Sequence, residues 1–120
     1  MENVQRKALF ETVPVPRAVM TLAHHAGISM RSRGRGAILN VGSVASRTGG
    51  GTYSAHKAWV VAFTEGLAAE LKGSGITATV CAPAPSHTPF FRARGRRHAF
   101  DLPPGSLASP ERVVTDALNA

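Results

Sequence analysis

Apolar residues recur along this 120-residue chain with two different periods. Helical spacing extends over residues 15–32 and 52–72, which predicts two amphipathic helices. A short apolar run at 37–41 is consistent with a buried strand, and the alternating, β-branched run at 76–81 predicts a second strand. The helical stripes consist of Val15, Val19, Leu22, Ala23, Ala26 and Met30 in the first helix, and of Ala55, Ala58, Trp59, Ala62, Phe63, Leu67 and Leu71 in the second.

Segments rich in glycine, serine or proline separate these elements. RSRGRG at 31–36 is predicted to be a turn and GSVASRTGGG at 42–51 a loop, while the glycines of 73–75 end the second helix. Residues 82–108, which begin with the proline-rich APAPSHTP, are predicted to be irregular. The final segment, SPERVVTDALNA, is predicted to be a helix that Ser109 caps, with a proline in its first turn.

The predicted order of elements is helix, strand, helix, strand, loop, helix. Strands that alternate with helices pair in parallel through right-handed crossovers, so we expect an α/β fold. Functional side chains in such sheets gather beyond the carboxyl ends of the strands. Ser43 and Pro83 follow those two ends, and Tyr53 and Lys57 begin the helix between the strands. We therefore expect three polar segments to converge on one crevice.

The spacing of Tyr53 and Lys57 places both residues on one face of a helix. A nearby ammonium group stabilises a phenolate, so the lysine would make the phenol easier to ionise near neutral pH. Such a phenol can protonate a developing alkoxide or take a proton from an alcohol. Ser43 can hydrogen-bond the same substrate oxygen. Since no side chain can donate a hydride, a carbonyl–alcohol reaction here requires a cofactor.

Composition narrows the class of protein. Hydrophobic residues make up 43% of the chain and charged residues 18%, which is typical of a single globular domain. No apolar run approaches the length of about 18 residues that a membrane span needs, and the amino-terminal segment lacks the apolar core of a signal peptide. Cys81 is the only cysteine, which excludes an internal disulfide. We expect a cytoplasmic protein that does not bind membranes.

The net charge of +7 raises the alternative of nucleic-acid binding. Eleven of the fourteen basic residues are arginines, concentrated at 31–36 and 92–98. No aromatic residue interleaves the first cluster, and the sequence contains no known nucleic-acid module. The two arginine clusters are more typical of solvated loops, so nucleic-acid binding is the less favoured hypothesis.

One stretch of the chain resembles a known family. GAILNVGSVASRTGGGTYSAHKAWVVAFTEGLAAEL is similar to the active-site half of the short-chain dehydrogenase/reductase family. The resemblance depends on an ordered set: N-V-x-S ending at Ser43, then Y-x-x-x-K from Tyr53 to Lys57, then a turn at Pro83. It extends from about residue 15 to the carboxyl terminus. The chain is therefore divided into a divergent segment, 1–14, and a Rossmann-like part, 15–120.

The resemblance implies a role for each site residue. Ser43 would polarise the substrate carbonyl, Tyr53 would be the acid/base and would contact the cofactor, and Lys57 would hold the nicotinamide ribose and assist ionisation of the phenol. The cofactor would be NAD or NADP, with NADP slightly favoured. The loop that holds its nicotinamide end would include Pro83, Ala84, Ser86 and Thr88. Thr88 would contact the carboxamide.

The chain departs from the family pattern at three places. The sequence contains no T-G-x-x-x-G-x-G or G-x-G-x-x-G turn, Val15 stands where the family usually has an asparagine, and Ala84 replaces the glycine after Pro83. We therefore expect a partial, doubly wound, Rossmann-like parallel sheet that lacks the amino-terminal nucleotide-binding half. Two hypotheses follow: a truncated oxidoreductase acting on a small carbonyl or alcohol substrate, or a non-catalytic remnant or interaction module.

Residues 15–32 and 52–72 are also expected to pair with a second copy of the chain, as the equivalent helices do in the family. The local reason is the apolar run from Trp59 to Phe63, which covers more than one helix face. Trp59 is accordingly predicted to lie in the core or at the interface. His56 is predicted to be a variable surface residue, and Cys81 a small buried residue.

Overall fold

The computed structural model describes residues 14–49, 51–83 and 109–119. The chain divides into two compact units, Met1–Ala82 and Pro83–Ala120. None of the described helices is long and apolar enough to cross a membrane. The helices and strands lie close to the predicted positions. In chain order they are α1 (Pro14–Arg33), β1 (Gly36–Val41), α2 (Thr52–Glu70) and β2 (Ile76–Cys81) in the first unit, and α3 (Pro110–Leu118) in the second.

The two strands form a parallel sheet, as the alternation of strands and helices predicted. The pairing runs in register from Gly36 opposite Ile76 to Val41 opposite Cys81. Parallel neighbours require a long connection, and α2 provides it. The α/β fold with a parallel sheet is therefore confirmed.

The two strands begin at a close approach between the turns that precede them. Gly75 has a φ of 79°, and a side chain at this position would collide with the carbonyl oxygen of Gly34. Glycine meets both requirements because it has no Cβ. The Gly36 N–H then donates to the Gly75 carbonyl at 3.3 Å, which fixes the register of the sheet at its first pair.

A small apolar core lies between the helices and one face of the sheet. Its buried members come from α1, both strands and the end of α2, and they are Ala23, Ile38, Leu71 and Ile76. Met30, Phe63, Leu67 and Ala78 pack against them. The predicted stripe of α1 was wrong for Leu22, which is 71% exposed. Only the face of α1 that meets β1 and α2 is covered by described elements.

The buried face of α2 also differs from the predicted stripe. His56, Val60 and Thr64 are buried in a row four residues apart, whereas Ala55 and Ala62 are exposed. The prediction that His56 is a surface residue was therefore wrong. The physical reason is a polar attachment to the sheet, described below, which turns a partly polar face of the helix inward.

The second unit contains α3, whose start agrees with the sequence signals. The Ser109 side chain accepts a hydrogen bond from the Arg112 backbone N–H at 3.2 Å, and Pro110 occupies the first turn. This is the usual arrangement of a helix cap followed by proline. Val114 and Leu118 of α3 are exposed.

Candidate active site

The chain leaves β1 through a crowded position at Gly42. Its N–H donates to the carbonyl oxygen of Cys81 at 2.7 Å, which extends the pairing of the strands by one residue. A Cβ at Gly42 would approach side-chain atoms of Val80 and Val61 within 3.2 and 3.3 Å. A small residue is therefore needed where the chain turns from the sheet toward Ser43.

Ser43 begins a short 3-10 turn, Val44–Arg47, in the segment predicted to be a loop. Its backbone is extended, with a φ of −165°, and its side-chain oxygen accepts from the Ala45 N–H at 3.1 Å. A hydroxyl that accepts one hydrogen bond still has its own proton to donate. Ser43 is half-buried, so a substrate oxygen that approaches the end of β1 could accept a hydrogen bond from its hydroxyl group.

The first turn of α2 is attached to this 3-10 turn. Gly51 precedes the helix with a φ of 72° and provides no side-chain cap. The hydroxyl oxygens of Thr48 and Ser54 lie 3.1 Å apart, and the Thr48 hydroxyl lies 3.0 Å from the Ala45 carbonyl oxygen. These hydroxyl contacts hold the turn that carries Tyr53 close to the turn that begins at Ser43.

Lys57 joins the start of α2 to the end of β1. Its Nζ donates to the Val41 carbonyl oxygen at 3.1 Å and lies 5.8 Å from the centroid of the Tyr53 ring. The second distance is within the range of a cation–π contact. Tyr53 and Lys57 thus share one helix face, as predicted, and that face meets the strand end that leads into Ser43.

Burial lowers the pKa of Lys57 below the ordinary value of 10.5. A partly buried ammonium loses hydration, which favours the neutral amine. The bond to the Val41 carbonyl uses one of the three N–H donors of the ammonium group. Two donors remain for another oxygen-rich partner at the same place.

A polar contact two turns further along fixes α2 on the sheet. The Asn40 side chain, within β1, donates from Nδ2 to the Thr64 hydroxyl oxygen at 2.9 Å. Thr64 in turn donates to the Val60 carbonyl at 2.7 Å. The sequence reasoning missed this contact, although an asparagine inside an apolar strand run was a signal for it.

The remaining predicted site residues come from the segment after β2. Pro83 is described, but Ala84, Ser86 and Thr88 lie outside the described residues. Cys81 is partly exposed, so the prediction that it is buried was wrong. In the described part of the chain, no group of three metal-binding side chains lies close enough to hold an ion.

The sequence profile of the short chain dehydrogenase family matches residues 12–99. The match covers most of the chain, including the strand end, Ser43, Tyr53 and Lys57. The chain therefore belongs to the short-chain dehydrogenase family.

Several individual proteins are also similar to this chain. A ketoacyl reductase assigned to the monensin polyketide synthase of Streptomyces virginiae is 36% identical over 116 residues, which cover 82% of this chain and 42% of the relative. A 3-oxoacyl-[acyl-carrier-protein] reductase of Vibrio cholerae is 32% identical over 93 residues, covering 72% and 38%. The short-chain dehydrogenase of Sphingobium yanoikuyae, solved with NADPH, is 31% identical with a TM-score of 0.74, covering 86% and 40%. The chain thus corresponds to about two fifths of each relative.

Proposed function

We propose that this chain carries the acid–base residues of an oxidoreductase that transfers a hydride between a nicotinamide cofactor and a carbonyl or alcohol substrate. Tyr53 protonates the developing alkoxide in reduction and accepts the proton in oxidation. Ser43 donates a hydrogen bond to the same oxygen. The observation that carries the proposal is the position of Lys57, with its Nζ on the Val41 carbonyl and 5.8 Å from the Tyr53 ring centroid.

The position of Lys57 supports this assignment. Its Nζ lies 5.8 Å from the centroid of the Tyr53 ring, within the range of a cation–π contact. The two proton donors left on Lys57 fit a pair of ribose hydroxyls. Lys57 therefore serves both the phenol and the cofactor from a single fixed position.

The proposed cofactor is NAD or NADP, and it supplies the hydride when bound. The donors of Lys57 fit its ribose, and the loop after β2 would hold its nicotinamide end through Pro83, Ala84, Ser86 and Thr88. The bound NADPH in the Sphingobium yanoikuyae structure supports the class of cofactor for this family. The slight preference for NADP stays a prediction.

Two relatives suggest a substrate class to assay first. The Streptomyces virginiae and Vibrio cholerae proteins are both named as reductases of ketoacyl or 3-oxoacyl groups. We propose that the substrate is a small molecule with a ketone of this kind or the corresponding alcohol. The cytoplasmic location that the sequence predicts is consistent with such a substrate and stays a prediction.

We also propose that α1 and α2 pair with a second copy of the chain. Trp59 and Phe63 stack with ring centroids 4.9 Å apart, and both are only partly buried. On α1, Met20 and Ile28 are 49% and 58% exposed. An open groove of about 460 Å³ lies between the two helices, next to Ile28 and Leu67. Sedimentation of a folded monomer at high concentration would contradict this pairing.

A second candidate function is a non-catalytic interaction module that keeps residues 15–120 of the Rossmann-like fold. The specific observation in its favour is the face of the sheet that no described element covers, where Leu39 and Val41 are 39% and 58% exposed. Under this alternative, the site residues are inherited and do not react.

The test of the proposed function is an activity assay on a completed fold. The amino-terminal half of the Sphingobium yanoikuyae enzyme would be fused before residue 15, and NADPH-dependent reduction of a 3-oxoacyl substrate measured. Tyr53→Phe removes the proton donor with little change in shape, and we expect a loss of about 10²- to 10⁴-fold in turnover. Trp59→Phe is the control on the same helix. Near-normal turnover in Tyr53→Phe would show that Tyr53 is not the acid.

A further inference from the structure

A buried histidine precedes Lys57, and the chemistry proposed above does not use it. His56 is 7% exposed, and its Nε2 is buried without a hydrogen-bond partner among the residues described. A buried polar atom that stays unpaired costs about 1–3 kcal/mol. An apolar side chain of similar volume would pack at this position without that penalty. The imidazole therefore needs an explanation other than packing.

Polar contacts hold the start of α2. Gly51 offers no side-chain cap, and the first turn contains no acidic residue. The hydroxyl oxygens of Thr48 and Ser54 lie 3.1 Å apart, and the Lys57 amine donates to the Val41 carbonyl oxygen. A further anchor at His56 would act on the same turn.

His56 also lies on the same buried face of α2 as Val60 and Thr64. His56, Val60 and Thr64 are four residues apart and all buried. Thr64 is fixed to β1 by the hydrogen bond from Asn40. His56 is the member of this row closest in sequence to Lys57, so any shift of its side chain displaces the turn that presents the lysine.

We propose that His56 is a positioning residue for Lys57, and that its Nε2 hydrogen-bonds a buried water molecule that fixes the first turns of α2. Buried waters in proteins bond to polar groups that otherwise have no partner. With this anchor, the Lys57 amine stays on the Val41 carbonyl and in its partly buried position. The inference rests on the proposed function, since it assigns His56 to the same site.

Two substitutions separate this role from simple packing. His56→Gln keeps a polar atom near the position of Nε2, whereas His56→Met keeps similar volume without one. His25→Gln, at an exposed position, is the control for loss of a histidine. Each variant of the full chain would first be checked by far-UV circular dichroism.

The readout is the titration of Lys57 by competitive acetylation at a series of pH values, with the exposed Lys72 as the internal reference. We expect wild type, His25→Gln and His56→Gln to retain a Lys57 pKa below the ordinary value of 10.5. His56→Met should bring the Lys57 pKa up toward that value, because the amine leaves its partly buried position. Because unfolding would also expose Lys57, the shift is assigned to the position of the lysine only in variants that keep the wild-type helical signal.

Three results would overturn the inference: a Lys57 titration unchanged in His56→Met, an equal shift in both His56 variants, or loss of the helical signal in His56→Met. The last result would assign His56 to the fold as a whole. Failure of the proposed function looks different. If Lys57 and Lys72 titrate together in the wild-type chain, the environment assigned to Lys57 is itself wrong.

Discussion

The two faces of the sheet are made by the same short strands and have different surroundings. On the face toward the helices, Ile38 and Ile76 are 9% and 4% exposed. On the opposite face, Leu39 and Val41 are 39% and 58% exposed. Strands with apolar residues on both faces are typical of parallel sheets covered on both sides. The described elements of the first unit cover only one of them.

The difference between the two faces distinguishes contacts made within this strand–helix unit from contacts that require additional protein. The contacts around the candidate site are local, because Lys57 bonds to the end of β1 and Asn40 of β1 bonds to α2. No described element of this unit covers the second face. The relatives are more than twice as long as the matched part of this chain, which supports the proposal that the remainder of the fold supplies that cover.

Truncation of neighbouring residues of β1 should affect the two faces of the sheet differently. Ile38→Ala removes buried apolar atoms from the core, so we expect it to lower the free energy of unfolding by about 2–5 kcal/mol. Leu39→Ala acts on the uncovered face and should cost less than about 1 kcal/mol. Urea denaturation of the two variants measures the difference. Equal losses would mean that both faces are covered in solution.

A second prediction concerns the polar contact that seats α2 on the covered face. Thr64→Val removes the acceptor of the Asn40 amide, which leaves a partly buried donor unpaired. We expect a loss of about 1–3 kcal/mol in the free energy of unfolding. Thr64→Ser retains the hydroxyl and is the matched control. A Thr64→Val chain as stable as wild type would contradict the role of this hydrogen bond.

The smallest expected effect is a pH dependence of the free energy of unfolding that arises from Lys57, at the carboxyl end of β1. Because burial lowers the pKa of Lys57 below 10.5, the unfolded chain binds the lysine proton more tightly than the folded chain does. The Lys57 contribution to the free energy of unfolding should therefore rise as the pH increases from the lowered pKa to 10.5.

Lys57→Met should remove this contribution, while Lys72→Met, at an exposed lysine, should leave it unchanged. The measurement is the urea midpoint of wild type and both variants at a series of pH values up to 10.5. The same pH dependence in Lys57→Met and wild type would show that Lys57 is not desolvated in the folded chain.

Much of this architecture could be predicted from the sequence. The periods of apolar residues indicated both long helices and both strands to within two residues of their ends, and the Ser109 cap was also predicted. The spacing of Tyr53 and Lys57 was enough to place them on one helix face. These features are local, so the sequence near each residue contains the information that determines them.

The buried face of α2 could not be predicted in the same way. His56 and Thr64 are polar, and apolar periodicity indicates a different stripe that includes Ala55 and Ala62. The helix is turned by the bond from Asn40 to Thr64, which joins residues 24 positions apart. The exposure of Leu39 was missed for a similar reason, because burial of a strand depends on elements distant in the chain.

We propose that this chain carries the acid–base pair while the dinucleotide phosphates bind elsewhere, because its sequence contains no T-G-x-x-x-G-x-G or G-x-G-x-x-G turn between a strand and a helix. Calorimetric titration with NADPH and NADH tests it most directly, on the 120-residue chain and on the fusion with the amino-terminal half of the relative. We predict no measurable binding to the chain alone and binding to the fusion. Micromolar binding to the chain alone would contradict the account.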